Sequence, residues 1–229
     1  EPKNYEEGVK QPGMWASLQE VTKDQDKSAL RILLAIFFWF LGYTAIEAFF
    51  TLYSVNHLGL EPSDGSRLLG QLSLFFVLFA LISGFIGGKI GRKLTISIGL
   101  VMMIVVLLGI FALPVSTLTT VITKLPVLGV VPVIGLFLMV AGVAWSLINI
   151  NSLPMVVDMT TAARIGTFTG LYYLFSTFSA IVGPNLNGLI IQFSGNNYNL
   201  VMVVGALFMA VALVLMLGVK RGEAQPAGV

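Results

Sequence analysis

One carboxylate lies inside a long apolar stretch, and it is the residue best placed to do chemistry. Glu47 is the only charged residue among residues 32–56. Trp39, Tyr43, Glu47 and Thr51 recur at four-residue intervals, so on a helix they would form one stripe. A carboxylate inside a bilayer is costly unless it faces protein, water or a bound partner, so we predict that Glu47 is a functional site that binds a proton or another cation. The alternative is a protonated glutamic acid that only hydrogen-bonds to a neighbouring helix.

The composition places this carboxylate in a polytopic membrane protein. The chain has 229 residues, of which 56% are hydrophobic and 10% charged, whereas soluble domains carry about 25% charged residues. A net charge of +2 argues against a nucleic-acid partner. There is no cysteine and one histidine, His57, so we expect no disulfide, no metal site and no cofactor. No nucleophile, base and orienting group fall together, so we do not expect an enzyme.

Six apolar segments supply the elements that must position Glu47. They lie at 30–55, 68–88, 94–113, 131–153, 166–191 and 198–219. Each is close to the length of roughly 17–25 residues that a membrane-spanning helix needs. The sequence therefore predicts an all-α membrane fold, with a six-helix bundle over residues 30–220 and a cytoplasmic tail over 221–229.

The first 29 residues are polar and precede the first span. Met14, Trp15, Leu18 and Val21 fall at helical spacing between polar residues. We predict a cytoplasmic linker with a short amphipathic helix at the membrane interface, where Trp15 lies at headgroup level. The alternative is a disordered linker, above all before residue 12.

Basic residues set the orientation. If the N-terminus is cytoplasmic, that side holds 11 of the 13 lysine and arginine residues, and only Arg67 and Lys124 lie on the other side. Cytoplasmic loops are rich in Lys and Arg. We therefore expect both termini in the cytoplasm.

Polar residues are spread unevenly over the six segments. The third and sixth segments have no hydrophilic residue in their middles, whereas the first, second, fourth and fifth do. Polar side chains in hydrocarbon turn toward protein or water. We expect the third and sixth helices to face lipid and the other four to surround a wetter space. A pattern of two cavity-lining helices followed by one lipid-facing helix occurs twice along the chain. This pattern is typical of two inverted three-helix repeats.

The loop between the second and third segments carries a motif. SGFIGGKIGRK, residues 83–93, resembles the loop motif G-x-x-x-D-R-x-G-R-K of the major facilitator superfamily. The matching residues are Gly84, Lys89, Gly91, Arg92 and Lys93. The acidic residue of the motif is replaced by Gly88.

A second stretch narrows the resemblance. Residues 151–190 resemble bacterial sugar permeases of that superfamily, above all the glycoside-pentoside-hexuronide cation symporters and the proton-coupled sucrose carriers. The residues that carry it are Asp158, Arg164, Gly166, Thr169, Gly170, Gly183 and Pro184. The resemblance covers about residues 14–220. The resemblance implies that the chain is the C-terminal six-helix half of a twelve-helix transporter. The chain would then begin within the linker between the two halves, and its partners would be the missing N-terminal half and the lipid bilayer.

Several of these residues also have a physical interpretation as gate elements. Gly183-Pro184 removes a backbone hydrogen bond, which predicts either a gate hinge or a static bend. Asp158 and Arg164 either pair with the Arg92-Lys93 side in one conformation or form a solvated loop pair. Gly84-x-x-x-Gly88 offers a flat face for helix packing, unless it only reflects the frequency of glycine in membrane helices.

Aromatic rings beside carboxylate and amide groups suit carbohydrate recognition. The residues we expect at a solute site are Trp39, Tyr43, Glu47, Trp145, Asn149, Tyr172, Tyr173 and Asn185. We predict alternating-access symport of a sugar or glycoside with a cation, most simply a proton. The alternatives are a proton-coupled drug or lipid carrier of the same superfamily and a non-transporting membrane module that docks a partner.

Overall fold

The computed structural model describes residues 13–23, 25–126 and 128–220. Within them, six helices are long and apolar enough to cross a membrane. They are α2 (Ser28–Asn56), α3 (Pro62–Ile90), α4 (Arg92–Ala112), α6 (Val133–Val157), α7 (Ile165–Phe193) and α8 (Leu200–Leu217). The predicted six-helix membrane fold is confirmed, and its helix boundaries differ from the expected ones by a few residues.

The largest boundary difference is at the start of α3, which begins at Pro62 rather than near residue 68. Proline suits the first turn of a helix because its missing N–H would have no partner there, and Asp64 in the same turn interacts favourably with the helix dipole. At its other end α3 stops at Gly91, whose φ of +93° a residue with a side chain rarely adopts. The next helix, α4, follows at once.

The helix contacts have the internal symmetry of two inverted three-helix repeats. The most extensive contacts are those of α3 and α4 with α6, and those of α7 and α8 with α2. Exchanging α2, α3 and α4 for α6, α7 and α8 converts the first pair of contacts into the second. The contact between α4 and α8 maps onto itself and closes the bundle. This is the arrangement expected of one half of a major facilitator fold.

Close backbone approaches hold α4 and α8 in place. A Cβ atom on Gly99 of α4 would lie 2.7 Å from the Ala144 carbonyl oxygen of α6, and one on Gly42 of α2 would lie 3.1 Å from the Gly205 carbonyl oxygen of α8. Small residues at such contacts let membrane helices pack closely. Both α4 and α8 present apolar side chains on their outer faces, including Val105. The lipid-facing position of α4 and α8 stays a prediction, because the spans of α3 and α7 are even less buried.

Two ends of the bundle are distinguished by their loops. The motif end carries the loop at Gly91, the turn that leads from α6 to α7 and the last residues of α8. The hairpin end carries a short helix α5 (Val115–Leu118) and two strands, β1 (Val121–Leu125) and β2 (Gly129–Pro132). The strands pair antiparallel.

The hairpin was not predicted from the sequence, which indicated only a joint between two spans. Its base is closed by a hydrogen bond of 3.0 Å from the Val133 N–H to the Thr120 carbonyl. Gln71 of α3 is buried, and its Nε2 donates to the carbonyls of Leu128 and Val130 at 2.9 and 3.1 Å. A buried polar side chain of a spanning helix therefore attaches the hairpin to the bundle.

A short helix precedes the first span. Helix α1 (Met14–Lys23) contacts α7 and α2. Val21 is buried, whereas the Trp15 side chain is 79% exposed. The expected location of α1 at a membrane interface stays a prediction. The linker before residue 13 and the tail from residue 221 lie outside the described residues.

Candidate solute site and motif end

The centre of the bundle brings four aromatic rings together from three helices. The Tyr43 ring of α2 lies flat on the Trp145 indole of α6, with a centroid distance of 3.8 Å and an interplanar angle of 4°. The Phe40 ring makes T-shaped contacts with Trp145, at a centroid distance of 5.3 Å, and with Tyr172 of α7, at 6.3 Å. Phe40 was missed in the sequence analysis, although it lies three residues before Tyr43 on the same helix face.

Glu47 lies one helical turn from Tyr43 toward the hairpin end. Its side chain is exposed and Tyr43 is half-buried, so the stripe on α2 emerges from the core onto an open face. Among the described residues the carboxylate makes no ion pair and no hydrogen bond. The alternative in which Glu47 bonds to a neighbouring helix therefore has no support within this six-helix unit.

Trp39 does not share this open face. Its side chain is completely buried in the hydrophobic core, and its indole N–H has no acceptor among the described residues. Successive residues four apart drift around a helix by about 40°, because 3.6 rather than 4 residues make a turn. The drift takes the stripe from the core at Trp39 to the surface at Glu47, and it removes Trp39 from the predicted solute site.

The remaining predicted solute residues lie at different depths. Tyr172 is buried and its hydroxyl is 3.0 Å from the Ser152 hydroxyl of α6, while the neighbouring Tyr173 is 56% exposed. The two tyrosine rings meet edge to face at 5.3 Å. Asn149 is half-buried one turn after Trp145 on α6.

Asn185 belongs to a different place on the surface. It is exposed, its amide donates to the Ile181 carbonyl at 2.7 Å, and it lines a shallow depression with Phe49 and Pro184. The structure therefore gathers Tyr43, Trp145 and Tyr172, with Tyr173 at the edge.

Several polar residues that indicated a wet lining instead hold helices together. The hydroxyls of Ser83 in α3 and Ser146 in α6 are 2.6 Å apart. The Asn151 amide donates to the Ser83 carbonyl at 3.1 Å. Interhelical hydrogen bonds of this kind are one of the forces that associate membrane helices. These side chains turn toward protein, which is one of the two environments expected for polar residues in the spans.

Helix α7 passes through Gly183-Pro184 without a break. Pro184 has no N–H, so the Ala180 carbonyl loses its helical donor. A Cβ atom on Gly183 would lie 2.7 Å from the Leu41 carbonyl oxygen of α2, so the two helices pack closely beside the proline. The Asn187 amide donates to the Gly183 carbonyl at 3.1 Å.

At the motif end, Asp158 pairs with the Arg92-Lys93 loop, which is one of the two alternatives that the sequence left open. Arg92 Nε lies 2.8 Å from Asp158 Oδ2, which joins the start of α4 to the end of α6. Lys93 Nζ donates to the carbonyls of Leu217 and Val219 at 3.1 and 2.6 Å. Arg31 donates to the Gly218 carbonyl. Cations therefore bind the carbonyls at the end of α8, where the helix dipole is negative.

The other motif residues contribute less to this end. Arg164 lies over the Phe168 ring at 5.5 Å, and Lys89 is exposed. The predicted glycine packing face is shifted by one position. A Cβ on Gly87 would meet Asn151 Oδ1, whereas Gly88 faces open space and Gly84 meets only Ile150 at 3.8 Å.

Comparisons with known proteins give the family. A model of the Major Facilitator Superfamily matches residues 32–228. No curated protein matches the chain significantly. Seventeen chains of solved structures do match.

Three of those structures illustrate the likeness. The inward-open xylose transporter XylE from E. coli has a TM-score of 0.65 at 13% identity, over 85% of this chain and 47% of that chain. A mutant of the peptide transporter POT in complex with alafosfalin has a TM-score of 0.66 at 16% identity, over 87% of this chain and 39% of that chain. The proton:xylose symporter XylE bound to 6-bromo-6-deoxy-D-glucose has a TM-score of 0.61 at 17% identity, over 87% of this chain and 46% of that chain.

The chain thus spans less than half the length of each of these transporters. At these identities the likeness shows the fold, and the family model covers most of the chain. Together with the motif and the inverted repeats, the match to the family model identifies the chain as a member of the major facilitator superfamily.

Proposed function

We propose that the chain is the C-terminal half of a secondary active transporter that carries a sugar or glycoside together with a cation by alternating access. The coupling cation is a proton, and the subfamily is that of the glycoside-pentoside-hexuronide cation symporters or the proton-coupled sucrose carriers. Two of the structural neighbours are described as a xylose transporter and a proton:xylose symporter, and a third as a peptide transporter.

One observation carries the proposal: on an open helix face, a stacked tyrosine–tryptophan pair lies next to a carboxylate that has no partner among the described residues. Tyr43 on Trp145 offers a flat apolar surface of the kind that packs against the C–H face of a sugar ring, and Glu47 offers an acceptor for its hydroxyls. A carboxylate that takes up and releases a proton can also link solute movement to a proton gradient.

A second six-helix half completes the proposed transporter. Helices α3 and α7 have the least buried spans of the bundle. On α3, Leu81 is 79% exposed and Phe85 76% exposed. On a membrane-spanning helix, exposed apolar side chains contact either lipid or a further helix. We assign this surface to packing against the N-terminal half, so that the solute lies between the halves and they rock about it.

The distribution of basic residues gives the proposed orientation. The motif end carries Lys89, Arg92 and Lys93 and faces the cytoplasm of a bacterium, and the hairpin end faces outward. In this orientation Glu47 takes a proton from the outer side and releases it inward when the cavity turns over. The Arg92–Asp158 pair stabilises one of the two conformations.

Uptake by the full-length protein in liposomes tests the proposal. A panel of sugars, glycosides, amphipathic drugs and lipids is offered with and without an inward proton gradient. We expect concentrative uptake of at least one sugar or glycoside that collapses when the gradient is removed. Gradient-driven movement of a drug or lipid alone would replace the sugar proposal, and no movement of any solute would favour a docking module.

A further inference from the structure

At the motif end, the start of α4 and the end of α8 form a basic rim that consists of Lys93 and Lys220. Lys93 Nζ donates to the carbonyls of Leu217 and Val219, so the two helix ends are in direct contact. Lys220 follows Val219 in the chain, and its side chain is exposed. Two ammonium groups can therefore reach one point on this surface.

Neither lysine of the basic rim is matched by a carboxylate. Lys93 uses two of its three N–H groups on neutral carbonyls, so one donor and the whole charge remain. Within the part of the chain that the structure describes, Lys220 Nζ makes no hydrogen bond and no ion pair. The basic rim therefore offers both charge and N–H donors to a further group.

The groups that would repel an anion here already have partners. A helix C-terminus is the negative end of the helix dipole, but the last carbonyls of α8 accept from Lys93 and Arg31. Two carboxylates at the same end of the bundle are also engaged, because Asp158 pairs with Arg92 and Asp26 accepts from the start of α2. The local charge is therefore positive, and it attracts an anion.

Apolar side chains continue from the basic rim along the outer faces of both helices. On α4 they include Leu94 and Ile98, and on α8 they include Val214 and Leu217. The Leu94 side chain is 51% exposed and that of Leu217 is 63% exposed. The proposed second half packs against α3 and α7, which leaves this face of α4 and α8 in contact with lipid.

An anionic phospholipid carries both of the groups that this surface can hold. Its phosphate accepts hydrogen bonds from the two ammonium groups, and its acyl chains match the apolar faces of the helices. A free phosphate would use the basic rim alone, and a zwitterionic lipid would bring a second cation to it. Basic pockets between spanning helices on the cytoplasmic side are known sites for anionic head groups.

We propose that Lys93 and Lys220 bind the phosphate of an anionic phospholipid, whose acyl chains lie along the outer faces of α4 and α8. In the proposed orientation this phospholipid belongs to the cytoplasmic leaflet. The inference rests on the proposed packing of the two halves, and it depends neither on the solute nor on proton coupling. Since Lys93 also binds the last carbonyls of α8, the bound phosphate holds the ends of α4 and α8 together.

Native mass spectrometry of the full-length protein in detergent tests this site without depending on transport. Dioleoyl phosphatidylglycerol is the probe, and dioleoyl phosphatidylcholine has the same acyl chains without a net charge. We expect the first phosphatidylglycerol to bind roughly tenfold more tightly than phosphatidylcholine. Lys220→Gln should weaken the binding of phosphatidylglycerol about fivefold, because one basic residue beside the phosphate is lost. Lys124→Gln removes the same charge from exposed strand β1 and should change nothing.

The outcomes separate a specific lipid site from general attraction between charges. Equal affinity for the two lipids, or an equal loss in Lys220→Gln and Lys124→Gln, would overturn the proposal. Displacement of phosphatidylglycerol by millimolar inorganic phosphate would also overturn it, because the basic rim would then be a site for a free anion. Glu47→Gln should bind the lipid normally even if uptake is lost, so failure of the proposed transport function would not mimic failure of this site.

Discussion

At the scale of single residues, Glu47 decides whether the proposed transporter is coupled to protons. Glu47→Gln keeps the shape and hydrogen bonding of the protonated acid but cannot ionise. We expect pH-driven accumulation of solute in liposomes to be lost, while counterflow exchange stays largely intact because it needs no net proton movement.

The matched control for this prediction is the single histidine. Burial lowers the pKa of His57, which lies just beyond the end of α2, so its imidazole is neutral at pH 7. His57→Gln should therefore leave the pH dependence of uptake unchanged. Normal pH-driven accumulation by Glu47→Gln would move the coupling group elsewhere in the transporter.

Tyr43 is expected to act through its ring rather than its hydroxyl. Tyr43→Leu removes the ring face that we propose packs against the sugar, and a ring contact of this kind is worth about 0.5–1.5 kcal/mol. We therefore expect the half-saturating solute concentration in counterflow to rise about 2- to 13-fold. Tyr43→Phe should stay close to the unmodified protein. An equal loss in both variants would assign the effect to the hydroxyl.

The chemistry of these residues could be predicted from the sequence, but their exposure could not. The four-residue spacing correctly placed Tyr43 and Glu47 on neighbouring turns of one helix. It also suggested that Trp39 belongs with them, whereas the helix drift buries Trp39. Whether a side chain is buried or free depends on partners elsewhere in the chain. The Tyr172 hydroxyl, for example, is hydrogen-bonded to the hydroxyl of Ser152, which is 20 residues away in the sequence.

At the scale of elements, the packing of α7 on α2 depends on a glycine at a close contact between them. Gly183→Ala would bring a Cβ atom within 2.7 Å of the Leu41 carbonyl oxygen, so one helix must shift. Overpacking of this kind costs roughly 1–3 kcal/mol of unfolding free energy. We expect a lower midpoint of thermal unfolding in detergent.

Gly170 of the same helix is the control for this substitution. A Cβ atom on Gly170 would have nothing within 4 Å, so Gly170→Ala should be neutral or slightly stabilising through helix propensity. If Gly183→Ala were as stable as Gly170→Ala, the close approach at Gly183 would not limit the packing of α7 on α2.

The spans and their order could be predicted because hydropathy and length determine them directly. The hairpin could not be predicted, because both of its strands are short and β1 is fully exposed. The hairpin also depends on Gln71, which is 57 residues away from Leu128 in the sequence. The same limit applies to polar residues within spans. Sequence shows that Ser83 and Ser146 need partners, but only the fold shows that they satisfy each other.

At the scale of the whole molecule, the two ends of the bundle should lie on opposite sides of a membrane. Lys124 on the hairpin and Lys89 at the motif end are both exposed, and the described residues contain no cysteine. In intact cells, on a background without other cysteines, we expect Lys124→Cys to react with a membrane-impermeant maleimide. Lys89→Cys should react only after permeabilisation, and the reverse pattern would invert the proposed orientation.

The central claim is that solute and proton move together in one transport cycle. The most direct measurement is the external pH of a lightly buffered suspension of vesicles that contain the full-length protein, recorded when a transported sugar is added without an imposed gradient. We expect the medium to become alkaline as protons enter with the sugar, and no such change with Glu47→Gln. Sugar entry without alkalinisation in the unmodified protein would contradict proton symport.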